Sequence, residues 1–152
     1  MLSERNLRVA AAVLALAGVG VATYIAIAEG GGGTPKCIAG GHGCETVANS
    51  HYSHLAGINV AVIGIFGYAL LLVAALAPGD PGRIGGFLTA LVGFGFSAYL
   101  TYLELFVIDA ICQWCVASAV LMAISLAVAA TRAFVYAGQE LGAPQIQSSH
   151  GR

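Results

Sequence analysis

The chain has 152 residues, of which 59% are hydrophobic and 9% charged, with a mean hydropathy of +0.87 and a formal net charge of −1. A soluble domain carries about 25% charged residues, and a core of this size could not hide so much apolar surface, so the bilayer is expected to act as solvent for much of the chain. The six Lys and Arg residues are scattered, which argues against a nucleic-acid surface.

Val9–Ala28 is an uncharged run of 20 residues, which as a helix spans roughly 30 Å, the thickness of the hydrocarbon layer. Ile58–Leu76 is a second run, with Asn59 its one strongly polar member; Ile84–Leu103 is a third and Ala110–Thr131 a fourth. The expected fold is an all-α membrane protein: a four-transmembrane-helix bundle over residues 7–132, then a flexible cytoplasmic tail over 133–152. The connections differ in kind. Glu29–Gly57 is long and rich in glycine, and it holds Cys37, Cys44, His42, His51 and His54. Ala77–Arg83 is expected as a tight turn in which Pro78 and Pro81 stop the helix, and Glu104–Asp109 as the third connection. Arg5, Arg8, Arg83, Arg132 and Arg152 fall on one side of these spans and only Lys36 on the other. The positive-inside rule then puts both termini in the cytoplasm, with the long loop and all four cysteines on the extracytoplasmic side. A cleaved signal peptide is the competing reading of the first run, because Arg5 and Arg8 precede it and Ala26-Ile27-Ala28 follows a small-residue pattern.

The chemistry-bearing residues are Cys37, Cys44, Cys112 and Cys115. Four cysteines allow three pairings. Cys112-Gln113-Trp114-Cys115 is a C-x-x-C at the start of the fourth run, where unpaired backbone N–H groups and the helix dipole favour a thiolate. Thiolate is the species that attacks disulfides. Asp109 is expected to cap this helix. Cys37 and Cys44 lie in a loop that can bend to bring them together and also move, and Lys36 favours a thiolate at Cys37. Competing readings are cysteines that only fill packing space, a static disulfide in a non-enzymatic membrane scaffold, and a metal site using the cysteines with His42, His51 and His54; the spacing matches no common zinc pattern, and the histidines read better as solvent-facing. Phe66, Tyr68, Tyr99, Trp114, Tyr52 and Tyr102 are candidates to surround a ring-shaped membrane ligand. Glu104, at the end of a span, is expected to be solvated at the outer interface, with proton handling as the minor reading.

The pattern Cys37, then Cys44-Glu45-Thr46-Val47-Ala48-Asn49-Ser50, then Gly57-Ile58 and Gly64–Tyr68, then Cys112-Gln113-Trp114-Cys115 with Ser118 behind it, resembles the vitamin K epoxide reductase family in its prokaryotic, quinone-linked, disulfide-forming branch. The resemblance runs over about residues 7–132. It implies a four-helix bundle around a ubiquinone- or menaquinone-type quinone, with Cys115 nearest the ring, Cys112 exchanging with Cys44, and Cys37 facing an external partner. It places Ser50 and Asn59 near the ring, Asn59 standing where the family pattern has proline. Ala119 stands where animal members carry tyrosine, which favours an ordinary membrane quinone over vitamin K epoxide. The tail is too short for a fused thioredoxin-like domain, so a separate extracytoplasmic thioredoxin-like protein is the expected partner.

Overall fold

The protein is described by a computed structural model over residues 3–38 and 40–141. In chain order it has α1 (Glu4–Gly30), a short α2 (Gly43–Ala48), a 3-10 turn (His51–Ser53), the strands β1 (His54–Leu55) and β2 (Ile58–Asn59), then α3 (Val60–Leu76), α4 (Gly79–Phe106) and α5 (Gln113–Leu141). The four long helices close into a ring: α1 packs on α3 and α5, and α4 packs on the same two from the other side. α1, α4 and the Gln113–Val135 part of α5 are each long and apolar enough to cross a membrane, whereas α3 is apolar but has 17 residues. At 1.5 Å per residue α3 reaches roughly 25 Å.

The chain is an all-α membrane protein, and its surface shows why. Val13, Ile27, Phe66, Val73, Val92 and Phe134 are all more than half exposed, a distribution suited to hydrocarbon and not to water. Lipid removes the hydrophobic drive between helices, so close approach at small residues must hold them together. Gly18 of α1 shows this: a Cβ there would collide with the ring of Tyr68 on α3. Tyr68 is itself buried in a core with Ala15, Leu71, Ala90, Met122 and Ala129. Gly18→Ala is expected to cost about 1–3 kcal/mol, the penalty for over-packing a filled core. The measurement is the thermal unfolding midpoint in detergent; an unchanged midpoint would mean that the Tyr68 ring moves aside freely.

Several element boundaries differ from the sequence expectation. The second apolar run begins at Ile58, but the helix begins at Val60, because Ile58 and Asn59 pair antiparallel with Leu55 and His54. Ala56 and Gly57 make the two-residue turn, both with positive φ, as a tight hairpin of this twist requires. Asn59 then caps α3, its side-chain oxygen accepting from the Ala61 N–H at 2.7 Å. The turn expected over Ala77–Arg83 is shorter, since α4 starts at Gly79; Pro81 fits the first helical turn, where a backbone N–H has no helical partner to lose. The fourth helix starts at Gln113, not Ala110. The flexible tail expected from residue 133 is helical as far as Leu141. Ala133, Phe134 and Val135 continue the apolar pattern, and the Phe134 ring meets Phe87 of α4 edge-on at 5.5 Å. Residues 142–152 lie outside the described residues.

Alternation of the helices puts the arginine-bearing ends together and the cysteines at the opposite end. At the arginine end, Arg8 donates to the Ala75 and Leu76 carbonyls at 3.1 and 2.6 Å, satisfying the open C-terminus of α3. Arg83 pairs there with Glu4 at 2.7 Å and Asp80 at 3.0 Å.

Candidate active site

The cysteine end is built from the α1–α3 loop folded over the start of α5. Cys37 and Cys44 are joined in a disulfide with their Cα atoms 5.8 Å apart, and the Cys44 N–H donates to the Cys37 sulfur at 3.2 Å. Cys44 is 1% exposed and Cys112 2% exposed. Cys112 and Cys115 are free cysteines. The loop disulfide reaches α5 because position 43 is glycine: a Cβ there would collide with the Ile111 carbonyl oxygen. The backbone beside Cys44 therefore lies directly on the backbone beside Cys112, an approach that only glycine permits.

The two residues between the cysteines of C-x-x-C hold the same loop. Trp114 donates from its indole Nε1 to the Lys36 carbonyl at 2.9 Å, and Gln113 Oε1 accepts from the Ile38 N–H at 3.2 Å. Tyr24 stacks on Trp114 with ring centroids 4.7 Å apart, and its hydroxyl accepts from the Lys36 N–H at 3.3 Å. Trp114 therefore faces the loop.

Glu104 overturns the expectation of a solvated interface residue: it is 4% exposed. Its carboxylate accepts from the Cys112 N–H at 3.0 Å, and it lies beside Cys115 on the wall of the same cavity. Its own carbonyl accepts from the Ala110 N–H at 3.1 Å. The carboxylate at the start of α5 is thus Glu104, folded back from α4, and not the expected Asp109, which instead takes a positive φ of 52° in the turn. Aspartate tolerates that conformation better than most residues.

Cys112 stands ahead of the first residue of α5. The Cys115 thiol donates a hydrogen bond to its sulfur, and the backbone N–H groups of Cys115 and Trp114 add theirs; together these hold the Cys112 thiol below the ordinary cysteine range, against burial and the Glu104 charge. A lowered value keeps the thiolate populated to lower pH. The rate of Cys112 alkylation against pH is therefore expected to turn over at a lower pH than that of an unperturbed cysteine. Cys115→Ala, by removing the largest contribution, is expected to move the midpoint up; an unmoved midpoint would refute that cause.

A cavity of about 670 Å³ lies along the α3–α4 seam beneath the loop, bounded at the back by α1 and α5. Its volume is that of a pocket for a small organic ligand. Cys115, Glu104, Ser118 and Met122 lie on its wall, as do Tyr68, Asn59 and Ser50. Tyr68 donates to the Ser118 carbonyl at 2.7 Å, so its hydroxyl is satisfied one turn beyond Cys115. Asn59 donates to the Glu29 carboxylate, also on the cavity wall. Ser50 donates to the Val47 carbonyl at 2.7 Å.

Of the residues expected around a ring ligand, the structure brings Ser50, Asn59, Tyr68 and Tyr52 to the cavity and leaves four elsewhere. Phe66 and Tyr99 are 68% and 50% exposed on the outer faces of α3 and α4, because their helical positions point them away from the seam. Trp114 is occupied by the loop clamp. Tyr102 stacks on Phe106 at the bundle's outer surface, centroids 5.1 Å apart. Gln113 and Tyr24 carry no sequence expectation for the parts they play, and Glu104 carries proton handling only as a minor reading. A lone carboxylate with apolar neighbours on both sides was the signal for Glu104; nothing local marks the other two. His42, His51 and His54 are exposed on the loop, and the disulfide takes the Cys37 and Cys44 sulfurs out of any thiolate ligand set. α1, the segment with a signal-peptide-like pattern, is an integral wall of the bundle.

A disulfide laid against a C-x-x-C dithiol at one end of an apolar bundle is the equipment of a membrane thiol–disulfide oxidoreductase. Family comparison agrees with this class. Residues 9–130 match the model of the vitamin K epoxide reductase family, and the chain belongs to that family. Comparison with curated proteins finds no match.

Proposed function

We propose that this protein oxidises an extracytoplasmic thioredoxin-like partner and passes the electrons through its two cysteine pairs to a membrane quinone. The observation that carries the reading is the placement of the two pairs. Cys112 is buried against the loop that holds the disulfide, and Cys115, on the next turn, lies on the cavity wall. Electrons can therefore enter at the loop and leave at the cavity. The reading takes all four long helices as membrane spans, with the arginine-bearing end in the cytoplasm by the positive-inside rule. That orientation puts the cysteines outside, where disulfides persist.

The residues then act in order. A reduced partner attacks the Cys37–Cys44 disulfide, leaves with its own disulfide, and the loop holds two thiols. The Cys44 thiolate attacks Cys112 of an oxidised C-x-x-C and releases Cys115; Cys37 then closes back on Cys44 and frees Cys112. Loop disulfide with free Cys112 and Cys115 is the arrangement that follows this exchange. The cavity's apolar walls suit a quinone ring, and Asn59, Tyr68 with Ser118, and Ser50 are the polar groups that would orient it. When bound, the quinone supplies an acceptor for two electrons and two protons. Glu104 is placed to take the proton from Cys115. Overall, two partner thiols become a disulfide and one quinone becomes a quinol.

The test is quinol formation by purified protein in detergent, fed by a reduced thioredoxin-like protein. Turnover with at least one membrane quinone is expected. No turnover with ubiquinone- and menaquinone-type acceptors, with the loop disulfide intact, would overturn the reading.

A further inference from the structure

We infer that Gln113 and Trp114, the two residues inside the C-x-x-C, are positioning residues for exchange between the two cysteine pairs: they clamp the backbone on either side of Cys37 so that the loop disulfide stays seated on Cys112. The inference rests on the exchange path of the proposed function and adds to it the residues that set its rate.

Three hydrogen bonds make the clamp, and they flank a single cysteine. Lys36, before Cys37, is held at both backbone groups, its carbonyl by the Trp114 indole at 2.9 Å and its N–H by the Tyr24 hydroxyl at 3.3 Å. Ile38, after Cys37, is held at its N–H by Gln113 at 3.2 Å. The Trp114 ring is fixed in turn by stacking on Tyr24. Both clamping side chains leave α5 within one turn of the sulfur that must react, so the helix that carries the C-x-x-C also sets where the loop sits. Glycines flank the clamped segment on both sides. Gly32 precedes it and Gly40 and Gly41 follow it, all with positive φ, which gives the Lys36–Ile38 segment hinges on both sides. Without the clamp the disulfide would spend much of its time away from Cys112. Seating it converts a search into an intramolecular encounter of high effective concentration.

The test isolates exchange from both the partner and the quinone. In full-length Cys115→Ala protein with the loop disulfide intact, the Cys112 thiolate can attack Cys44. One S–S bond breaks, the Cys44–Cys112 bond forms, and Cys37 leaves as a thiolate that takes up a proton, so no oxidant or reductant is consumed. Acid quenching, alkylation and peptide mapping follow the release of the Cys37 thiol with time. Trp114→Phe and Gln113→Leu together are expected to slow it about tenfold, and Tyr24→Phe, which deletes one hydroxyl, about twofold to fivefold, from the usual worth of such hydrogen bonds. A parallel series in Cys37→Ala, Cys44→Ala, Cys115→Ala protein reads the alkylation rate of Cys112 alone and is expected to stay within about twofold. A local effect on the Cys112 thiol would change both series equally, and that result overturns the clamp. So does release at the unsubstituted rate in all variants. If the Cys115→Ala protein forms no Cys44–Cys112 bond at all, the exchange path itself fails and the clamp with it, a result distinguishable from the other two.

Discussion

Cys115→Ala is expected to lower quinol formation by on the order of 10³-fold or more, the scale of loss when a reacting nucleophile is removed. The reason is geometric. Of the four cysteines only Cys115 lies on the cavity wall, while Cys112 is buried behind it. Without Cys115, Cys112 cannot close the C-x-x-C disulfide, and electrons that reach Cys112 from the loop have no outlet. The same variant should accumulate the Cys44–Cys112 cross-link. Quinone absorbance measures the first effect and non-reducing peptide mapping the second. Quinol formation that persists in Cys115→Ala would mean that another group delivers the electrons, and the cavity would lose its assigned role.

Glu104→Gln is expected to have the second-largest effect, a fall of about 10²-fold in kcat, the lower end for loss of a positioned proton acceptor. Glutamine keeps the volume and an oxygen that can accept from the Cys112 N–H, so the start of α5 stays in place. What it loses is the ability to take the Cys115 proton. Glu104→Leu removes the hydrogen-bond acceptor as well and strands a buried N–H, which adds about 1–3 kcal/mol of destabilisation. Comparing kcat for the two variants with their unfolding midpoints separates the contributions. A Gln variant that turns over within a few-fold of wild type, beside a Leu variant that does not, would leave Glu104 the purely structural task of pinning the connection between α4 and α5.

The helices were largely legible. Their apolar runs are long, local and uninterrupted by charge, and a run of that kind has few alternatives to a membrane helix. Boundaries were missed where a contact from elsewhere decided them. The hairpin takes Ile58 and Asn59 out of the second helix, and Phe87 gives the last helix a partner beyond Arg132. The candidate site divides the same way. The four cysteines and the loop–C-x-x-C pattern stand out because their spacing is a property of the chain. Among the aromatic candidates Phe66, Tyr99, Tyr102 and Trp114 fall outside the cavity lining, since helical phase relative to neighbours, not residue type, decides which ring meets the cavity.

Composition and apolar run lengths by themselves determined that this is a multi-helix membrane protein, and C-x-x-C with a second cysteine pair pointed to thiol–disulfide chemistry, because both signals are local. Only the tertiary structure decided that Glu104 closes over the start of α5, that Gly43 lets the loop backbone lie on Ile111, and that Trp114 holds the loop at Lys36. Those contacts join residues as far as 78 positions apart. They exist because the closed helix ring brings the end of α1, the end of α4 and the start of α5 together at one end of the bundle.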